Sequence, residues 1–218
     1  MIFTSINFDN KVEKTKRLER KFILSSGQAS LAVGELKKIG FKRKFPSRKI
    51  SSVYFDDIEF SSLRDNIDGN PNRDKLRLRF YNDDFNSSKI EIKHKRGYVG
   101  YKSFFELETP IHSMDEGIQK TIQWAKKNLF KSIFARSLIT YNRQYLALGQ
   151  FTATVDKQVA GFRINSSKKL QTSAFFKYSV VEFKYPIDYD EEFRERQFFK
   201  NFSLRNTKCS KYSNSLIY

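Results

Sequence analysis

Charged and apolar residues alternate strictly through two neighbouring stretches, Lys75-Leu76-Arg77-Leu78-Arg79-Phe80 and Lys89-Ile90-Glu91-Ile92-Lys93. Successive side chains of a strand point to opposite faces, so this period of two predicts two strands. Lys75, Arg77 and Arg79 then share one face, and Leu76, Leu78 and Phe80 the other. Residues 17–24 repeat the pattern, with Arg17, Glu19 and Lys21 opposite Leu18, Phe22 and Leu24, although Arg20 interrupts the apolar side. Further strands are expected over 50–55, 102–108, 138–146, 152–159 and 178–185. Helical spacing appears at Ala32, Leu36 and Ile39 within 27–39, before Gly40 as a C′ glycine. A second helix starts at Ser113, with Glu116 in the capping-box position, and places Ile118, Ile122, Ala125 and Leu129 on one face. A third is expected around 190–202, followed by a polar, basic tail. Turn chemistry falls at Asp56-Asp57, over 65–71 and at Gly97 and Gly100. Eight strands in hairpin succession against three helices predict an α+β, mainly β fold, with an antiparallel sheet or closed barrel as the natural architecture.

Charge sharpens this picture. The 218 residues carry 41 Lys and Arg against 24 Asp and Glu, a net charge of +17 that favours an anionic partner. A composition rich in Lys, Asn, Ile and Phe also arises from AT-rich coding sequence, so the position of the cations matters more than their total. Five strands place them on one face: Arg17, Glu19 and Lys21; Lys75, Arg77 and Arg79; Lys89, Glu91, Lys93 and Lys95; Tyr141, Arg143 and Tyr145; Glu182 and Lys184. One such face is ordinary for the solvated side of an antiparallel sheet. Five of them turned inward would make a charged lumen, whose cations destabilise one another unless a multivalent anion sits among them.

Other chemistry is sparse. The single cysteine, Cys209, excludes an internal disulfide and a zinc site built on Cys pairs, and a reducing cytoplasm is the expected setting. Of the two histidines, His94 falls on the apolar side of its strand and His112 in a loop, so neither suits catalysis. No run of about 18 apolar residues predicts a transmembrane segment. The absence of a Ser/Gly linker or repeat predicts one domain over residues 1–218.

Glu19-Arg20-Lys21-Phe22, Ser52-Val53-Tyr54-Phe55-Asp56, Asn66-Ile67-Asp68-Gly69, Lys75-Leu76-Arg77-Leu78-Arg79, Glu91-Ile92-Lys93, Tyr141-Asn142-Arg143, Thr154-Val155-Asp156, Val181-Glu182-Phe183-Lys184-Tyr185 and Ser210-Lys211-Tyr212 follow one another along the chain. In this order they resemble the VTC domain, the catalytic module of the vacuolar transporter chaperone, within the triphosphate tunnel metalloenzyme and CYTH-like superfamily. The resemblance runs from about Lys16 to the C-terminus. It implies an eight-stranded antiparallel tunnel barrel with flanking helices, a divalent Mn²⁺ or Mg²⁺, and polyphosphate synthesis from ATP.

The resemblance implies roles residue by residue. Lys21, Arg77, Arg79, Lys93, Arg143, Lys208 and Lys211 would bind phosphate, with Arg77, Arg79, Lys93 and Arg143 acting on the transferred group. Tyr141 and Ser210 would support as hydrogen-bond donors, and Glu182 would hold the metal. The chemistry agrees, since Arg offers phosphate a bidentate fork and Lys a point charge, while the hard cations take carboxylate and phosphate oxygens. Phosphoryl transfer through a loose transition state needs chiefly positioning and charge neutralisation. Two basic positions of the polymerase pattern are replaced, by Phe105 and Thr152, and Lys102 compensates for the first. Arg17 replaces the first Glu of the superfamily's Glu-x-Glu-x-Lys hydrolase signature, which leaves Glu19 and Lys21. The chain reads as a stand-alone tunnel, without the SPX domain or membrane helices of the eukaryotic assemblies.

The expected partners are ATP and inorganic polyphosphate. A metal-dependent triphosphate hydrolase and a non-catalytic polyanion-binding module remain open as alternatives. Specific nucleic-acid binding is not expected, because the cationic faces carry no aromatic stacking platform. Asp156 is expected to be an internal counter-charge or a strand-end residue, Glu106 and Glu108 to balance lumen charge, and Trp124, Phe193, Phe198 and Phe199 to pack against the outer wall.

Overall fold

The computed structural model describes residues 17–97, 99–107, 109–165, 170–196, 198, 206–207 and 209–217. Its strands are β1 (Arg17–Leu24), β2 (Lys42–Asp56), β3 (Asn72–Tyr81), β4 (Asp84–Arg96), β5 (Val99–Phe105), β6 (Phe134–Leu148), β7 (Phe151–Ile164), β8 (Leu170–Phe175) and β9 (Ser179–Pro186). The helices are α1 (Ser26–Lys38), α2 (Ser61–Ile67), α3 (Met114–Leu129), α4 (Asp190–Arg196) and α5 (Lys211–Ile217), with a short 3₁₀ turn, Ile187–Tyr189, before α4. Eight strands form one antiparallel path in the order β1-β9-β7-β6-β2-β3-β4-β5, and β8 pairs with β7 beside it. The mainly β, antiparallel, eight-stranded expectation holds. The two ends of the path, β1 and β5, approach each other. Among the described residues the gap between them is bridged by side chains, such as Lys93 of β4 on Glu19 of β1 at 3.2 Å, rather than by a backbone ladder.

The alternation decides what each face of the sheet meets. Leu76, Leu78, Ile90 and Ile92 turn outward, where Ile118 and Ala125 of α3 bury them, and Phe105 packs on Trp124. Around β1, β7 and β9, also on the outer face, Ala29, Ala32 and Leu36 of α1 and Phe193 of α4 cover Phe22, Leu24, Val181 and Phe183, with Phe198 stacked on Phe183. The aromatic residues expected to pack the outer wall do so where described; Phe199 lies outside the described residues. Burying one such side chain contributes roughly 1.5–3 kcal/mol, so the outer layer supplies most of the fold's drive while leaving the inner face free for charge.

Several local expectations change. Ile39, assigned to the buried face of α1, is 45% exposed because it is the C-cap, where the helical stripe ends. The Ser113 hydroxyl accepts from the Glu116 backbone N–H at 3.2 Å, but the Glu116 carboxylate reaches the His112 N–H instead of closing the capping box. Conversely, Ser25 and Gln28 form a full capping box on α1. The Asp56-Asp57 turn starts a helix, α2, whose Ser62 and Leu63 N–H groups donate to the Asp56 carboxylate. Of the helix expected over 190–202, α4 spans Asp190–Arg196.

The tail is not merely polar, for it contains α5. Tyr212 of α5 stacks on Tyr54 at 5.1 Å and donates to the same Asp56 carboxylate at 2.7 Å, so one carboxylate holds both α2 and α5. Lower in the helix, Ser215 bonds Ser137 at 2.6 Å and lies against Gly161 of β7. A Cβ at Gly161 would sit 2.6 Å from the Ser215 Cβ and 3.3 Å from its Cα. Gly161→Ala is therefore expected to lower stability by about 1–3 kcal/mol and to expose α5 to protease. Urea midpoints and limited proteolysis of the two proteins measure both effects.

A cationic cavity inside the sheet

The inward faces converge on a cavity of about 550 Å³. Register explains the convergence: Tyr54, Arg77 and Glu91 are paired across β2, β3 and β4, and Lys75, Lys93 and Lys102 across β3, β4 and β5. On the opposite wall Lys21 pairs with Glu182 and Glu19 with Lys184 across β1 and β9. Among the described residues, the lining holds fourteen Lys or Arg and three carboxylates, Glu19, Glu182 and Asp190. Lys21, Arg77, Arg79, Lys93, Lys102, Tyr141, Arg143, Glu182, Ser210 and Lys211, ten positions singled out from the sequence, all line it. Lys208 lies outside the described residues.

Four carboxylates organise the cations. Glu91, 3% exposed, accepts from Arg77 Nε at 2.9 Å and also from Arg77 Nη2, with Arg79 Nη1 at 3.6 Å and Lys102 Nζ at 3.7 Å. Burial pushes its carboxyl up, yet Arg77, Arg79 and Lys102 outweigh this and hold it well below the usual range. Asp156, 1% exposed, takes Arg143 through both Nε at 2.6 Å and Nη2 at 2.8 Å, and Lys211 at 2.6 Å. This is the internal counter-charge expected from the sequence.

Glu182 and Glu19 share their partners. Lys21 lies 3.4 Å from Glu182 and 3.8 Å from Glu19, and Lys184 lies 3.6 and 3.1 Å from the same two carboxylates. Burial and the neighbouring Glu182 raise the Glu19 carboxyl, but Lys93, Lys184 and Lys21 prevail and hold it at about 2. Lys93 shows the opposite imbalance. Burial lowers it and Lys21 adds to that, so despite Glu19 and Glu182 it sits at about 8. Burial, then Arg77, drives Lys102 well below the ordinary lysine range. The wall is thus under-neutralised, and a bound polyanion would relieve it.

Neutral groups set orientation. Arg79 donates Nε to Ser52 Oγ at 3.1 Å and points Nη2 at the Tyr141 hydroxyl, 3.4 Å away. The Tyr141 ring lies under both Arg143, at 5.1 Å, and Lys211, at 4.7 Å. Arg77 Nη1 donates to the Tyr54 hydroxyl at 3.0 Å.

Some expectations about charge do not hold. Glu106 is 86% exposed and pairs at 3.8 Å with a half-exposed Lys89, so neither balances the lumen; Glu108 lies outside the described residues. The reason is position: Lys89 pairs with Arg79 but belongs to the exposed first half of β4, and Glu106 lies past the end of β5. Tyr145 packs with Phe45 and Arg48 instead of lining the cavity. His94 is structural: its ring joins Asp74 at 2.8 Å to Ser103 at 3.0 Å and stacks on Tyr101, locking three strands together. Sequence reasoning gave no site role to Lys75, Lys184, Tyr54 or Glu91, although strand parity places each with the lining residues and was the signal that could have found them.

No group of three or more His, Cys, Asp or Glu able to hold a metal occurs among the described residues. None of the described helices is long and apolar enough to cross a membrane.

A cationic cavity inside a curled antiparallel sheet defines a tunnel-type fold, and comparison with known families agrees. The VTC domain model matches residues 7–218, and the chain belongs to that family. No curated protein matches the sequence. Solved structures with the same fold include a candidate adenylate cyclase from Bacillus halodurans, 11% identical over 94% of this chain and 98% of that one, TM-score 0.56. A candidate adenylate cyclase from Vibrio parahaemolyticus is 14% identical over 93% and 98%, TM-score 0.53. A third, from Hippeastrum, is described as an adenylyl cyclase candidate with a dominant triphosphatase activity; it is 11% identical over 92% and 95%, TM-score 0.53.

Glu91→Gln tests the electrostatic account. It leaves Arg77, Arg79 and Lys102 without their shared counter-charge, and should cost about 3–5 kcal/mol of stability. Added tripolyphosphate should recover more stability in the variant than in the parent, read as the shift in thermal midpoint of each. An equal shift in both would mean that Glu91 does not compete with an anion for these cations.

Proposed function

We propose that this chain transfers the γ-phosphoryl group of ATP to a growing inorganic polyphosphate chain inside the cavity. The observation that carries the reading is the lining itself, fourteen cations with three lining carboxylates, and Glu91 and Asp156 behind them, around a cavity of about 550 Å³. Such a wall is suited to a chain of phosphates, whose charge is spaced along its length.

In this reading the terminal oxygen anion of the acceptor attacks the γ-phosphorus in line. The bond from that phosphorus to the β–γ bridging oxygen breaks, ADP leaves with the electron pair, and the acceptor is longer by one phosphate. The acceptor is already ionised, so no general base is required. Arg77 and Arg79, held by Glu91, Ser52 and Tyr141, present donors that cannot rotate away as charge moves across the transferred group. Lys93 and Arg143 neutralise it from neighbouring strands, and Lys21, Lys102, Ser210 and Lys211 hold the rest of the chain; Lys208 joins this set by its place in the motif.

A divalent cation fits the donor set. Glu182 and Glu19 bring hard carboxylate oxygens together on one wall, where Lys21 and Lys184 now share them. Two carboxylates with phosphate oxygens and water suit Mg²⁺ or Mn²⁺. When bound, such an ion supplies charge neutralisation and alignment of the phosphates.

Hydrolysis of triphosphate is the second reading, favoured by the triphosphatase activity described for the Hippeastrum structure. The purified protein is to be incubated with ATP and Mn²⁺, with and without a short phosphate primer, and the products resolved on a gel. A ladder of lengthening chains is expected, reduced at least about hundredfold in an Arg79→Ala, Lys93→Ala variant. Free phosphate without a ladder would replace the polymerase with the hydrolase. Intact ATP with retained polyphosphate binding would leave a binding module.

A further inference from the structure

Lys75 differs from Lys21, Lys93, Lys102, Lys184 and Lys211 of the cavity in its partners. Its Nζ donates to two neutral oxygens, the Asn66 Oδ1 of α2 and the Ser210 Oγ just before α5, the latter at 2.9 Å. Among the described residues it forms no ion pair with a carboxylate. Lys21, Lys93, Lys102, Lys184 and Lys211 each have one within 3.8 Å. The charges that act most strongly on Lys75 are Lys93 on β4, Arg73 and Arg77 on its own strand, and Lys21 on β1, all cations. From α5 it meets the Tyr212 ring, 6.0 Å away. A cation in this position is less compensated than those five lysines.

The neutral partners also point to an absent one. Three donors converge on Ser210 Oγ, Lys75 Nζ, the Ser213 N–H at 3.3 Å and the Ser213 hydroxyl at 3.2 Å, one more than its two lone pairs accept. Its own hydroxyl proton has no protein acceptor among the described residues, and both Lys75 and Ser210 line the cavity. An ammonium and a hydroxyl side by side, each lacking an anionic acceptor, form a pair of donors for one phosphoryl oxygen cluster.

We propose that Lys75 is a further phosphate ligand of this cavity, acting with Ser210, whose counter-charge is brought by the substrate instead of by the protein. The inference rests on the reading of the cavity as a phosphate site. It has a consequence in protons. Burial and the four surrounding cations hold Lys75 well below the ordinary lysine range in the free protein. An arriving polyphosphate favours the ammonium, so the complex binds more protons than the free protein. Affinity must then fall as pH rises from the depressed value of the free protein toward the ordinary lysine range.

The test is calorimetric titration of the full chain with tripolyphosphate at about pH 8, in buffers of different ionisation enthalpy. The difference between buffers counts the protons taken up. Lys75→Met should weaken binding about tenfold or more and reduce proton uptake. Lys75→Arg, permanently charged, should keep affinity within a few-fold while reducing uptake as the Met variant does. This second variant separates phosphate binding from a structural tie between α2 and α5, and carries the test if the Met variant has a lowered melting midpoint. Unchanged affinity and uptake in both variants would overturn the role of Lys75 while leaving the phosphate site standing. Failure of the parent protein to bind tripolyphosphate would overturn the phosphate reading itself.

Discussion

The structure depends on the pairing of a few buried carboxylates with a larger number of cations. Glu91 gathers Arg77, Arg79 and Lys102, and Asp156 gathers Arg143 and Lys211. Without these anchors the inward face would consist of like charges a few ångströms apart, and the curled sheet would be unstable. With them, the forked arginines are fixed in place and still in excess. Rigidity and unmet charge coexist on the same side chains, which is the condition for a preorganised anion site.

That arrangement is possible because the two faces of the sheet have separate work. Outside, Leu78, Ile90 and Ile92 pack under α3, and Val181 and Phe183 under α1 and α4. The apolar contribution to stability lies there, where it does not compete with the lumen. Inside, α5 adds a small apolar cluster around Tyr141, Ile50 and Ile139, and delivers Ser210 and Lys211 to the lining. Asp56 couples this helix to α2, so the segment bearing Asn66 and the segment bearing Ser210 are held by one carboxylate and meet again at Lys75.

Much of this was legible in the chain. Strict alternation on β3 and β4 revealed both the strands and the side on which Arg77, Arg79 and Lys93 fall, because a period of two leaves no other arrangement. The order of motifs brought Lys21, Arg143, Glu182 and Lys211 into the same set. What was not legible depended on contacts distant in sequence. Glu91 reads as one more charge on an alternating strand until β3 is set beside it and Arg77 reaches across. Helix α5 was read as a polar tail because Tyr212, Ser213 and Ser215 are buried by hydrogen bonds and by the gap at Gly161, which carry no apolar period. Strand β2 was read as short because its first half, with Lys42, Arg43 and Lys44, is exposed and does not alternate. Lys75 shares the parity of Arg77, but only the absence of a carboxylate opposite it sets it apart.

The central claim is that the under-neutralised lumen is the place where a chain of phosphates binds. A crystal structure of the protein grown with tripolyphosphate and Mn²⁺, with the manganese located by its anomalous scattering, tests it most directly. The account predicts phosphates lying among Arg77, Arg79, Lys93 and Arg143, with manganese between the anion and Glu182 and Glu19. Tripolyphosphate bound only to outer-surface lysines, with Glu91 and Glu182 still paired as they are here and the lumen filled by water alone, would contradict it.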